Sequence, residues 1–141
     1  MNGRSSKPMM HGALEVTFRC GACNEVAAIV TYVPRGGTYP DPIFEIIVRE
    51  SDWLVITGFA GTLGKALDSR ATAVRIALQH SSAKQLYDIH FPWAPFYCSE
   101  CNESYCWNCW QSRVVMDEED PDWYDCTYGR CPKRHEKKID D

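Results

Sequence analysis

The apolar residues first fall into a regular pattern at Leu14, Val16 and Phe18, which alternate with Glu15, Thr17 and Arg19. A period of two places the two sets on opposite faces of a strand, so residues 14–19 are expected to form one. A second strand is expected over residues 25–33, with Cys20-Gly-Ala-Cys23 as a tight knuckle between the two. Pro34-Arg-Gly-Gly breaks the run. Further on, residues 43–49 and 53–57 are β-branched or aromatic and predict a hairpin that turns at residues 50–52. Residues 58–64 read as a glycine-punctuated loop. Ser69 stands where an N-cap would, ahead of a helix over residues 70–80 that would gather Ala73, Val74, Ala77 and Leu78 on one face. Ser81 and Ser82 interrupt it, residues 83–87 predict another short turn of helix, and Pro92 and Pro95 stiffen a connector over residues 90–95.

The pattern changes after residue 95. Residues 96–141 hold few aliphatic side chains, several Trp and Tyr, and six of the eight cysteines. A segment with so little to bury needs another source of cohesion, and clustered ligands point to metal. The expected organisation is a flexible tail over residues 1–13 and a single zinc-binding domain over residues 14–141. Within that domain, residues 24–95 form an insertion with hairpin and helix, and residues 96–135 form the zinc-binding half.

Composition fits a folded chain, at 45 % hydrophobic and 12 % aromatic residues. No apolar run approaches the ~20 residues of a membrane span. Arg4 and Lys7 are not followed by the apolar stretch of a secretory signal, so a cytoplasmic protein with reduced thiols is expected. The net charge of −4 offers no broad basic face to nucleic-acid phosphates. Lys133, Arg134, Lys137 and Lys138 make a local basic cluster, and Asp117, Glu118, Glu119 and Asp120 an acidic run expected in solvent.

Three C-x-x-C pairs occur, Cys20/Cys23, Cys98/Cys101 and Cys106/Cys109, followed by Cys131-x-x-x-His135. Two residues between thiols allow a tight turn to aim both sulfurs at one ion, and a Zn2+ ion takes four such ligands in a tetrahedron. Four pairs therefore specify two Zn2+ ions. Cys126 is the spare thiol, and His11, His80 and His90 are expected at the surface or in the core. Two pairings fit the order. An interleaved one joins Cys20, Cys23, Cys106 and Cys109, and separately Cys98, Cys101, Cys131 and His135. A sequential one joins Cys20, Cys23, Cys98 and Cys101, leaving Cys106, Cys109, Cys131 and His135. The interleaved pairing is preferred because it ties the N-terminal knuckle into the C-terminal half twice over.

Closed four-ligand sites leave no open position for a catalytic water. None of the pairs sits in the βαβ context of a redox C-x-x-C, and no H-E-x-x-H, G-x-S-x-G, P-loop or deaminase pattern is present. An active site of the chain's own is not expected.

The order Cys20-x2-Cys23, Cys98-x2-Cys101, Cys106-x2-Cys109, Cys131-Pro132-x2-His135 resembles that of RING fingers and related binuclear treble-clef domains. The Cys-Pro of the last pair and a Trp between the third and fourth pairs, Trp110 or Trp123, are part of the resemblance. The chain differs in carrying residues 24–97 between its first two pairs and Glu136, not a basic residue, directly after the last ligand. The resemblance implies a small α+β, β-rich domain with two zinc sites in a cross-brace and a long insertion between the first and second pairs. It implies an E3 ligase or adaptor that binds a conjugating enzyme charged with a ubiquitin-like protein. Such a protein forms no covalent intermediate and acts by positioning. The partner groove would draw on Trp110, Trp123 and Pro132, and the insertion would bind a substrate or partner. The alternatives are a zinc-stabilised interaction module without ligase activity and, against the acidic charge, a zinc-ribbon nucleic-acid binder.

Overall fold

The structure, a computed structural model, describes residues 6–8, 13–36, 38–40, 45–47 and 51–140, with side chains from residues 13–36 and 51–139. Its N-terminal part is a five-stranded antiparallel sheet. In spatial order the strands are β1 (Ser6–Pro8), β2 (Leu14–Arg19), β3 (Val26–Val33), β6 (Trp53–Thr57) and β7 (Thr62–Ala66). Strands β4 (Thr38–Pro40) and β5 (Glu45–Ile47) pair with each other apart from it. Of the stretch read as a tail, Ser6–Pro8 is a strand paired with β2, and residues 1–5 and 9–12 lie outside the described residues.

Strand β2 has the bounds its alternation predicts, with Val16 and Phe18 buried and Arg19 exposed. The expected hairpin of residues 43–49 with 53–57 is not the pairing that forms. Strand β6 lies between β3 and β7, and β5 pairs with β4. The reason is visible in β6 itself. Leu54, Val55 and Ile56 are all buried, on both faces, so the strand suits the interior of a sheet with a neighbour on each side. The expected loop over residues 58–64 is also shorter. Gly58 and Gly61 at φ +84° and +109° close a tight turn, in which Gly58 N–H donates to Gly61 O at 3.1 Å, and Thr62 already begins β7.

Helix α1 (Ala71–Gln79) buries Val74, Ala77 and Leu78, whereas Ala73 faces solvent, one position off the expected stripe. Ser69 does not cap it. The Asp68 carboxylate accepts from Arg70 N at 2.9 Å, and its carbonyl accepts from Ala71 N. Helix α2 (Ala83–Ile89) is capped by Ser82, whose side chain accepts from Gln85 N at 3.1 Å. Both helices join the sheet in one core. Val16, Val30, Leu54, Leu78 and Leu86 are each 0 % exposed, and each such side chain contributes about 1.5–3 kcal/mol.

The connector through the short 3₁₀ turn Phe91–Trp93 leads to Phe96, whose ring meets Phe18 at 5.2 Å and Phe59 at 6.1 Å. That aromatic contact fastens the sheet to the C-terminal half. There β8 (Tyr97–Cys98) and β9 (Glu103–Ser104) form a small hairpin. A 3₁₀ turn, Trp107–Cys109, precedes a three-stranded sheet ordered β10 (Gln111–Met116), β11 (Tyr124–Arg130), β12 (Glu136–Asp140). The described residues form a small β-rich domain with two short helices.

Candidate metal centre

Both C-x-x-C-Asn segments are built the same way. Cys23 and Cys101 are each followed by an asparagine at positive φ, Asn24 at +65° and Asn102 at +52°. Asn is among the few residues that tolerate this left-handed conformation, and the turn it makes reverses the chain behind the thiols. The repeated C-x-x-C-N is the sequence signal for these positions, which reasoning from thiols alone passes over. In the first knuckle, Cys20 N–H donates to Glu25 O and Asn24 N–H to Cys20 O, at 2.7 and 2.9 Å. In the last, Cys131 N–H and His135 O meet at 3.0 Å, with Arg134 at φ +72° between the ligands.

The fold gathers these pairs into two groups. The ligand atoms of Cys20, Cys23, Cys106 and Cys109 lie within 4.8 Å of one another, and so do those of Cys98, Cys101, Cys131 and His135. This is the interleaved of the two pairings. Cys23 and Cys106 sulfurs are 3.5 Å apart, and Cys101 and Cys131 sulfurs 3.7 Å. His135 Nδ1 lies 3.2, 3.5 and 3.7 Å from the sulfurs of Cys101, Cys131 and Cys98. Disulfide sulfurs stand about 2 Å apart, so these distances exclude bridges. They fit the edges of a tetrahedron around Zn2+, for which bonds of about 2.3 Å to sulfur and 2.0–2.1 Å to nitrogen give separations of about 3.8 and 3.6 Å. Both groups could hold a metal ion.

The surroundings favour thiolate in part of each group. Burial pushes the Cys20 thiol up, but the backbone N–H groups of Cys106, Cys23 and Ala22 outweigh it and bring it down to about 6. Burial likewise opposes ionisation of Cys131, which the N–H groups of His135 and Lys133 bring down to about 7. Cys98 is pushed up to about 11 and Cys109 upward as well, in both cases chiefly by burial. A divalent ion in each group would supply the positive charge that its crowded thiols, four in the first and three in the second, need in order to ionise together.

The groups are tied to each other through backbone. Gly21 N–H, inside the first knuckle, donates to Ser104 O at 2.8 Å, between the second and third pairs. A Cβ at Gly21 would displace the exposed Glu103 side chain, which lies against the knuckle here. Below the second group, Lys137 is half-buried. Its ammonium donates to Tyr97 O at 2.5 Å and lies 5.3 Å from the ring centres of Tyr87 and Trp110. Burial lowers it to about 8, against the pull of the Cys98 thiolate. Lys137 therefore belongs to the wall of the centre and not to the basic surface cluster the sequence suggests.

Of the three residues expected at a partner groove, Trp123 is 67 % exposed and Pro132 is exposed. Trp110 is 4 % exposed, and its indole N–H donates to Tyr105 O at 3.1 Å. Gly129 of β11 leaves room for Trp110 and Ile139, which a Cβ there would strike. Cys126 is buried and belongs to neither group. His80 lies beside Gln85 and His90 beside Trp93, and neither belongs to a ligand group, while His11 lies outside the described residues.

Among the described residues no helix is long and apolar enough to cross a membrane. A family model described as a domain of unknown function (DUF8328) matches residues 10–141. No curated protein and no solved structure matches the chain.

Proposed function

The chain belongs to the DUF8328 family, and from its two ligand groups we propose that it is a two-zinc, RING-like adaptor that binds a conjugating enzyme charged with a ubiquitin-like protein. The observation that carries this reading is the interleaving, first pair with third and second pair with fourth. Two ions held this way stand in adjoining loops, which the Gly21–Ser104 hydrogen bond keeps in register. The zinc ions are structural. Each has four protein ligands, so the module does no bond chemistry and acts by holding the charged enzyme in a reactive arrangement. Trp123 and Pro132 are the exposed residues from which the partner contact is built.

A second reading, an interaction module without ligase activity, draws support from Trp110. With its ring buried against Tyr105, the centre offers fewer apolar contacts to a conjugating enzyme. Discharge of a charged conjugating enzyme onto free lysine separates the two. The adaptor reading predicts acceleration by the zinc-loaded chain, lost in Trp123→Ala. No acceleration across a full panel of conjugating enzymes, with both ions bound, selects the second reading.

A further inference from the structure

A crevice of about 440 Å³ opens between the two sheets, within the range of roughly 300–1,000 Å³ typical of binding sites. Four parts of the chain meet in it. Phe59, Leu63 and Lys65 come from the β6–β7 hairpin, Trp93 from the connector, Trp107 from the turn between the Cys106 and Cys109 ligands, and Val114 from β10. The rings of Phe59 and Trp107 meet edge to face at 5.2 Å and make a fixed apolar floor. Leu63 and Val114 on the walls are 40 % and 58 % exposed, apolar surface left in water on both sides.

The crevice has a charge preference and a shape preference. Among the described residues Lys65 and His90 are its ionisable lining groups, and no carboxylate lines it. Among the described residues no acidic side chain pairs with Lys65. Arg70, stacked 4.7 Å over Trp93, adds a further cation nearby, balanced by its own partner Asp68. Lys65 thus gives the crevice one cation without a counter-charge, which an anionic group can meet. The shape preference comes from the strands. Among the described residues both β7 and β10 are edge strands of their sheets, and both contribute lining residues. Edge strands carry unpaired backbone groups that accept an extended peptide as an added strand.

We propose that this crevice binds an extended peptide segment of a partner protein, in which an apolar side chain stands beside a carboxylate. The apolar side chain rests on Phe59 and Trp107, the carboxylate meets Lys65, and the peptide backbone runs along a free strand edge. This does not rest on the conjugation reading, since an adaptor and a plain interaction module would use the crevice alike.

The test uses the full zinc-loaded chain and three pools of short fluorescent peptides with blocked termini. One pool carries Phe, Leu or Val flanked by Glu, one the same apolar residues flanked by Lys, and one Ser flanked by Glu. Anisotropy titration is expected to show the first pool binding at least about tenfold more tightly than either other. Lys65→Glu is expected to shift the preference to the Lys-flanked pool, and Val114→Asp to weaken binding about tenfold with zinc content unchanged. Equal binding of the first two pools, or an unaltered preference in Lys65→Glu, overturns the proposal. So does binding of octanoate without the first pool, which would make the crevice a small-amphiphile site. A concentration-dependent dimer abolished by Val114→Asp also overturns it, since a second copy would then be the occupant.

Discussion

The N-terminal sheet and the C-terminal half are held by different means. In the five-stranded sheet, β3 and β6 are buried along most of their length, and α1 and α2 close one core over them. In the C-terminal sheet, β10 is exposed at nearly every position, and its neighbours bury little beyond Cys126, Thr127, Gly129 and Ile139. The first region is held by apolar area, and the second joins a smaller apolar share, Phe96, Tyr105, Trp110 and Ile139, to the two Cys/His groups. The two meet at Phe18, Phe59 and Phe96 and at the Gly21–Ser104 hydrogen bond. Since Cys20 and Cys23 extend from the β2–β3 hairpin, the apolar sheet holds half of the first ligand group. One region thus supplies an apolar base, and the other gathers on it the two groups that could hold metal ions.

Metal removal is expected to separate the two regions most strongly. A strong chelator is expected to forfeit an apparent binding free energy of about 10–16 kcal/mol per structural ion. Amide NMR signals of residues 96–140 should collapse while those of β2, β3 and β6 stay dispersed. Collapse of both regions together would show that the sheet has no independent stability. The opposite stress is Leu78→Ala, which opens a cavity under α1 and should cost about 2–5 kcal/mol in denaturant unfolding. Elemental analysis of that variant should still find an ion for each of the two groups. A smaller effect is expected for Cys126→Ser. Exchanging a buried thiol for a hydroxyl should cost about 0.5–3 kcal/mol with metal content unchanged, and loss of an ion would make Cys126 a ligand. The smallest is expected for Trp123→Ala, within about 0.5 kcal/mol of the parent, because that ring is largely in solvent.

The same contrast explains what the sequence made legible. Leu14–Arg19 and the two helices carry their period in buried side chains, so local pattern suffices to find them. The ligand pairs are legible for a related reason, since each lies within one turn and its chemistry is written in residue identity. Strands β10, β11 and β12 leave no such trace. Their side chains are mostly exposed, and they exist because backbone pairing and the ligand turns on either side hold them. The placement of β6 was hidden differently. Pairing with β3 spans a long loop, whereas adjacency in sequence favours the hairpin with residues 43–49. Ser69 does not cap α1 because the N-cap position falls on Arg70, which makes no side-chain cap bond, while its N–H and guanidinium bind the Asp68 carboxylate at 2.9 and 2.6 Å. Propensity favours Ser69 over Arg70 at a cap and so misplaces the helix start by one residue.

The interleaving itself is open to direct measurement by replacing the native metal with ¹¹³Cd and recording couplings from each ion to cysteine β-protons and the histidine ring. The account predicts two cadmium signals. One should couple to Cys20, Cys23, Cys106 and Cys109, and the other to Cys98, Cys101, Cys131 and His135. A signal coupled jointly to Cys20, Cys23, Cys98 and Cys101, or no bound metal at all in the folded chain, would contradict it.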